Sequence, residues 1–87
     1  MHEASLMTDL MHKIDDAAQR QQARRILGVA VWLGALSHMS ADHFREHFVQ
    51  ASAGTIADGA ALDITVSDDI HNAHASDIRL ESLKVEV

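Results

Sequence analysis

The sequence predicts a small α+β domain in which a three-stranded mixed sheet carries two helices on one face. The first observation is the spacing of hydrophobic residues. Segments with helix-like and strand-like spacing follow one another along the 87 residues in the order α-β-α-β-β. The second is composition. With 47% hydrophobic and 23% charged residues, four glycines and no proline, the chain is typical of a folded protein. We expect one domain, residues 1–87.

A hydrophobic stripe with a 3.6-residue period predicts the first helix, from Leu6 to Ala18. Polar residues occupy the remaining positions, as expected for an amphipathic helix. Ser5 is the predicted N-cap, because a serine hydroxyl can accept a hydrogen bond from a backbone N–H of the first turn. The stripe consists of Leu6, Met7, Leu10, Met11, Ile14, Ala17 and Ala18.

The segment RILGVAVWLGAL, Arg25 to Leu36, predicts the first strand, because it is rich in β-branched residues and apolar on both faces. Its strict alternation places Leu27 with Val29, Val31 and Leu33 on one face, and Ile26 with Ala30 and Trp32 on the other. Only this strand is apolar on both sides. An uncovered sheet face would leave apolar surface in water, so we expect the chain to self-associate through the sheet as a homo-oligomer.

A second helix is predicted after a short loop at 37–40, with Ser40 as N-cap and Gly54 as the stop. Its inward positions are Ala41, Phe44, Phe48 and Ala51. Asp58 and Gly59 then form a turn signal that separates this helix from the next strand.

Two alternating segments predict the remaining strands. LDITVS, residues 62–67, places Leu62, Ile64 and Val66 on one face. IRLESLKVEV, residues 78–87, changes its apolar phase by one residue near Ser82, which predicts a bulge or sharp twist there.

Charge and residue usage exclude several classes of function. The net charge is −6 and the seven Lys and Arg are scattered, so nucleic acid and anionic membranes are poor partners. No leader or membrane-spanning segment is evident, and we expect a cytoplasmic protein. There is no cysteine for a disulfide or thiolate site. No nucleophile with a paired base or phosphate-binding loop is present, so we do not expect an enzyme.

The first residues, Met1, His2 and Glu3, form a potential metal chelate. The α-amine, the His2 amide nitrogen and the His2 imidazole close two adjacent chelate rings on one ion. The fourth position remains open to the Glu3 amide, the Glu3 carboxylate, water or a partner ligand. Deprotonated amides are accepted by ions that favour square-planar geometry, namely Ni(II) and Cu(II).

Four segments together make the sequence similar to the HypA/HybF family of hydrogenase nickel-incorporation chaperones. They are MHEASLMTDL, GALSHMSADHFREHF, GTIADGAALDIT and RLESLKVEV, which occur in the family's order. The resemblance implies a small α+β nickel-binding domain. It also implies that Met1, His2 and Glu3 bind Ni(II), and that the partners are a HypB-like GTPase and the large subunit of a [NiFe] hydrogenase.

The chain departs from the family pattern between its last two strands. The family carries a zinc module there, with two CxxC pairs that form a Cys₄ site, and this chain has no cysteine. Residues 67–78 are predicted to be a short linker that merely joins two strands. Either the lineage lost the module or the chain was trimmed. The alternative function is therefore a zinc-domain-less paralogue that acts as a protein-interaction or assembly module without metal delivery.

The other histidines offer weaker candidate sites. His71 and His74 lie among Asp68, Asp69 and Asp77 and could hold a divalent ion, although a solvated loop is the simpler interpretation. His43 and His47 are four residues apart on the second helix, where an exposed polar face is favoured over a metal site. His12 is isolated. His38 lies in the loop before the second helix and could supply a fourth nickel ligand.

Overall fold

The computed structural model describes residues 2–87, with side chains from Ser5 onward. The elements follow the predicted order, which confirms the α+β class. They are α1 (His2–Arg20), β1 (Arg25–Leu33), α2 (Ala41–Ser52), β2 (Ala61–Val66) and β3 (Ile78–Glu86). Both helices pack on the core face of the sheet, α1 against β3 and α2 against β2, and they also contact each other.

Helix α1 begins earlier than the sequence analysis predicted. It starts at His2, so Ser5 lies inside the helix and is not its N-cap. No proline or glycine precedes Leu6 to stop the helix. The predicted stripe is otherwise confirmed, with Met7, Leu10, Ile14 and Ala18 buried against the sheet.

The end of α1 has a hydrogen-bonding pattern known as the Schellman motif. The Ala23 amide donates to the Ala18 carbonyl at 3.0 Å, and the Gln22 amide donates to the Gln19 carbonyl at 3.0 Å. Gln22 occupies the left-handed position of this motif, with φ 54°. A glycine would adopt that conformation with less strain.

The sheet has the order β2-β1-β3, with β1 parallel to β2 and antiparallel to β3. The predicted bulge near Ser82 is confirmed, because Ala30 pairs with Ser82 while Val31 pairs with Leu80, which leaves Glu81 as an extra residue. A second bulge, which the sequence analysis missed, leaves Leu27 unpaired on β1. One extra residue lies on β1 and the other on β3. The pairing register between these two strands is therefore the same before the first bulge and after the second.

The bulge at Leu27 corrects the predicted faces of β1. Ile26 lies in the core with Val29 and Val31, whereas Leu27 is 42% exposed. The open face of β1 therefore presents Gly28, Ala30 and Trp32, all half-buried. The bulge thus exposes Leu27 in place of Ile26 and leaves the rest of this face as strict alternation predicted. Self-association through this face stays a prediction.

Helix α2 follows the prediction closely at its beginning. The Ser40 hydroxyl accepts a hydrogen bond from the His43 amide at 3.1 Å, which confirms the N-cap. Phe44 and Phe48 are buried with their rings stacked, 6.0 Å between centroids. The prediction was wrong at the other end, because Ala51 is exposed and Ser52 takes the inward position.

The end of β1, the end of β2 and the start of β3 lie side by side at one end of the sheet. Leu33, the last residue of β1, pairs with Val66 at the end of β2 and with Ile78 at the start of β3. The strand β1 does not continue to Leu36 as predicted, because the chain turns at Gly34. The linker is residues 67–77, one residue shorter than predicted, since Ile78 is a buried strand residue.

Candidate metal site

Two of the three predicted nickel ligands, His2 and Glu3, are the first residues of α1. Met1 lies outside the described residues, as do the side chains of His2 and Glu3. The backbone of His2 and Glu3 is helical. Since the first four N–H groups of an α-helix have no intrahelical acceptor, helix formation does not engage the two amide nitrogens that the proposed chelate would use.

A cleft of about 320 Å³ lies beside the first turns of α1. Three parts of the chain form its walls: helix α1, the loop of residues 34–40 between β1 and α2, and the linker of residues 67–77. The lining residues are Ser5, Leu6, Leu36, Ser37, His38 and Ser76. Of these, Ser5, Leu36, His38 and Ser76 are exposed, whereas the Ser37 hydroxyl is buried.

Backbone contacts hold the loop of residues 34–40 against the linker. The Gly34 amide donates to the Asp77 carbonyl at 2.9 Å, and the Leu36 amide donates to the Ala75 carbonyl at 2.7 Å. The two backbones approach so closely that a Cβ added at Gly34 would lie 2.2 Å from the Ala75 carbonyl oxygen. The linker thus does more than join two strands: it fixes the loop that carries His38.

Two residues in this loop have unusual local environments. His38 is exposed and adopts a left-handed backbone, with φ 60°, which is uncommon for a residue other than glycine. Ser37 is 3% exposed, and its hydroxyl has no hydrogen-bond partner among the residues that the structure describes. A buried hydroxyl without a partner costs about 1–3 kcal/mol. Both features lie in the wall of the cleft.

The histidines of the linker do not form a metal site with the neighbouring carboxylates. The His74 Nδ1 atom lies 3.1 Å from an Asp77 carboxylate oxygen, with both side chains about half exposed. The Asp69 carboxylate instead accepts a hydrogen bond from the His71 backbone amide at 3.0 Å. Among the described side chains, no group of three or more His, Cys, Asp or Glu could hold a metal ion.

The remaining histidines lie on the helices. His43 and His47 are half-buried, with rings 4.6 Å apart between centroids in a T-shaped arrangement, so the predicted exposed polar face is only partly exposed at these two residues. His12 is exposed on α1. Of the described histidines, His38 is the one that lines the cleft at the start of α1.

The comparison with protein families covers nearly the whole chain. Residues 1–83 match the family described as hydrogenase/urease nickel incorporation, metallochaperone, HypA. The chain belongs to the HypA family. This family description is that of a metallochaperone in nickel incorporation and not of an enzyme. The resemblance stated above is thereby confirmed, and the absence of cysteine distinguishes this chain from a Cys₄ zinc-binding form.

Individual relatives agree with this assignment. The chain is 36% identical over 66 residues to the hydrogenase maturation factor HypA of Methylocella silvestris, covering 76% of this chain and 58% of that protein. It is 39% identical over 62 residues to HypA of Thermococcus gammatolerans, covering 71% of this chain and 45% of that protein. The chain thus spans about half the length of these relatives.

The fold is also similar to a solved structure. The solution structure of the nickel metallochaperone HypA from Helicobacter pylori matches with a TM-score of 0.76 and 24% identity, covering 98% of this chain and 97% of that one. At this identity the match supports the fold. Among residues 2–87, no helix combines the length and apolar character needed to cross a membrane.

Proposed function

We propose that this protein carries Ni(II) at its N-terminus and assists nickel insertion into a [NiFe] hydrogenase. The proposed ligands are the Met1 amine, the amide and imidazole nitrogens of His2, and Glu3. The observation that carries the proposal is the family match over residues 1–83, which includes these three residues. The helical start at His2 supports it, because backbone N–H groups in a first helical turn lack intrahelical acceptors.

Delivery would proceed by ligand exchange. An acceptor site displaces the nitrogen donors in turn, and the ion leaves without any change in the fold of residues 5–87. By family resemblance, the proposed partners are a HypB-like GTPase and the hydrogenase large subunit. We also propose a cytoplasmic location, where such partners would be met, and residues 67–77 as a short replacement for a zinc module.

The test is a nickel titration of the untagged protein, followed by absorption and circular dichroism spectroscopy. The parent should bind one Ni(II) with the spectrum of a diamagnetic planar complex. Both His2→Ala and an extra residue placed before Met1 should abolish that spectrum, because the first removes the imidazole and the second displaces the amine. His12→Ala, an exposed histidine farther along the same helix, is the matched control.

The alternative function predicts a different pattern. If the parent and both N-terminal variants bind nickel equally, the terminus is not the site. An interaction or assembly module without metal delivery would then be favoured. Pull-down with the GTPase and the hydrogenase large subunit, with and without nickel, separates a docking role from a delivery role.

A further inference from the structure

The outer edge of β3 carries no partner strand. In the order β2-β1-β3, β3 is an edge strand of nine residues, Ile78–Glu86. Within the described part of the chain, no backbone hydrogen bond joins residues 79–85 to anything other than β1. Such an edge presents a row of N–H and C=O groups that can pair with another strand.

The charges on β3 alternate in sign along the strand. All the charged side chains are exposed, and within residues 5–87 none of them forms an ion pair. They are Arg79, Glu81, Lys84 and Glu86. The apolar residues between them are half-buried on the helix side of the sheet, at the margin of the core. They are Leu80, Leu83 and Val85.

The bulge at Glu81 brings the two outermost charges onto one face of the sheet. Arg79 and Glu86 are seven residues apart, and an odd spacing in a regular strand places two side chains on opposite faces. Glu81 is extra in the pairing with β1, so the alternation shifts by one residue between them. When Glu81 is left out of the count, Arg79 lies three positions before Leu83, and Glu86 lies three positions after it.

We propose that two copies of this protein pair through the outer edges of their β3 strands, antiparallel and about a two-fold axis at Leu83. Leu83 then lies opposite Leu83 of the second copy, and Arg79 lies opposite Glu86 of the second copy. The two-fold axis makes the second contact occur twice. The two three-stranded sheets join into one, and the half-buried apolar residues of the two strands cover one another.

A second pair of opposite charges forms beside the axis. Lys84 follows Leu83 by one position and Ser82 precedes it by one, so Lys84 lies opposite Ser82 of the second copy. Glu81 is next to Ser82, and two residues of a bulged strand oppose one residue of the partner. Each Glu81 carboxylate is thereby brought close to the Lys84 ammonium group of the second copy.

The charges also select this register over its neighbours. Moving the two-fold axis by one position places Lys84 opposite Lys84 of the second copy in one direction, and opposite Arg79 of the second copy in the other. Like charges directly opposite each other destabilise a strand pair. A lysine and a bulge on an edge strand ordinarily discourage pairing with other chains, whereas here both fit a second copy in one register.

The test is sedimentation velocity of the untagged, metal-free protein over a range of concentrations. The parent should dimerise. We expect Arg79→Glu and Glu86→Arg each to weaken dimerisation at least about tenfold, because both opposite-charge pairs become like-charge pairs. An equimolar mixture of the two variants should restore the dimer, because each opposed position then joins opposite charges again.

Asp63→Arg is the matched control, since it reverses an exposed charge on β2, opposite Ala30 of the open face. It should dimerise as the parent does. Hydrogen exchange should show the amides of residues 79–85 more protected in the dimer than in the Arg79→Glu variant. Circular dichroism checks that each variant folds, and the pair Glu81→Lys and Lys84→Glu repeats the mixing experiment if either variant does not.

Three outcomes would overturn the inference. The first is a parent that stays monomeric at every concentration. The second is single variants that dimerise like the parent, or a mixture of folded variants that stays monomeric. The third is a dimer that Asp63→Arg disrupts and Arg79→Glu does not, which would place the interface on the open face. None of these measurements requires nickel, so their outcomes are independent of the proposed function.

Discussion

The loops that flank α2 are held in place by different means. The loop of residues 34–40 depends on distant backbone, because Gly34 and Leu36 donate to Asp77 and Ala75 of the linker. The loop of residues 53–60 has one distant backbone contact, from the Ile26 amide to the Ile56 carbonyl at 2.9 Å, and its other hydrogen bonds are local. Its Thr55 hydroxyl donates to the Ser52 carbonyl at 2.7 Å, and an Asp58 carboxylate oxygen accepts from the Gly54 amide at 3.0 Å.

The glycines in the two loops show the same contrast. A Cβ at Gly34 would overlap the Ala75 carbonyl, whereas a Cβ at Gly54 or Gly59 would have nothing within 4 Å. Gly54 and Gly59 are instead needed for their backbone, with φ 79° and 78°. The cleft beside α1 is thus lined by the loop whose shape depends on the linker, which makes the linker part of the cleft.

The largest expected effect distinguishes these two uses of glycine. Gly34→Ala should lower the free energy of unfolding by about 3 kcal/mol, since overpacking costs about 1–3 kcal/mol and the neighbouring backbone hydrogen bonds about 1 kcal/mol each. Gly54→Ala and Gly59→Ala should each cost only about 1–2 kcal/mol, for the left-handed backbone. Urea titrations of the three variants measure the difference.

Gly28→Ala is the control for the glycine series. A Cβ at Gly28 meets Lys84 Cβ at 3.5 Å and the Ala61 carbonyl oxygen at 3.7 Å, which are ordinary contacts. Because glycine weakens a strand interior, this variant should be unchanged or more stable by up to about 1 kcal/mol. Equal losses at Gly28 and Gly34 would contradict the proposed role of the close backbone approach.

His38→Gly is expected to increase the stability of the domain. Glycine relieves the left-handed strain at φ 60°, so the free energy of unfolding should rise by about 1 kcal/mol, as measured by urea titration. Gln22→Gly is the matched control, since Gln22 has the same kind of backbone at the far end of α1. It should gain similar stability, and a gain at only one of the two positions would contradict the assignment of the strain to the left-handed backbone.

Ser40→Ala tests the local hydrogen bond at the end of the loop of residues 34–40. Loss of the N-cap should lower the free energy of unfolding by about 1 kcal/mol, because the His43 amide loses its acceptor. Chemical denaturation measures this loss. Ser40→Asp is the control, since a carboxylate can also accept this bond, and it should retain most of the stability.

The smallest expected effect concerns Asp58, which the structure shows accepting a hydrogen bond from the Gly54 amide. Asp58→Ala should cost about 0.5–1 kcal/mol, typical of one exposed hydrogen bond. Asp58→Asn keeps an oxygen acceptor and should lose less. A loss as large as that of Gly34→Ala would mean that the loop of residues 53–60 also depends on distant contacts.

Local features were predictable from the sequence, and distant ones were not. The Ser40 cap, the turn at Asp58 and Gly59, and the bulge beside Ser82 each leave a signal within a few residues. The close approach of Gly34 to Ala75 joins residues 41 positions apart, and no local pattern encodes it. The bulge at Leu27 was missed for a related reason: its register depends on the partner strand.

The same distinction between local and distant features applies to the candidate metal site. Met1, His2 and Glu3 are ligands that are predicted from their chemistry and from the resemblance. His38 was named from the sequence only as a residue able to reach the terminus. Its position in the cleft depends on Leu36, Ser37 and Ser76, which carry no recognisable motif.

The pairing of Leu33 with both Val66 and Ile78 has a consequence for how such domains gain or lose parts. Since neighbouring strands are about 4.8 Å apart, the two ends of the linker are separated by roughly 10 Å. Any compact unit whose own termini are this close could be spliced between them without stretching the sheet. The inserted unit would still have to supply acceptors for the Gly34 and Leu36 amides. This position therefore tolerates replacement of the linker by a whole unit more readily than shortening of the linker.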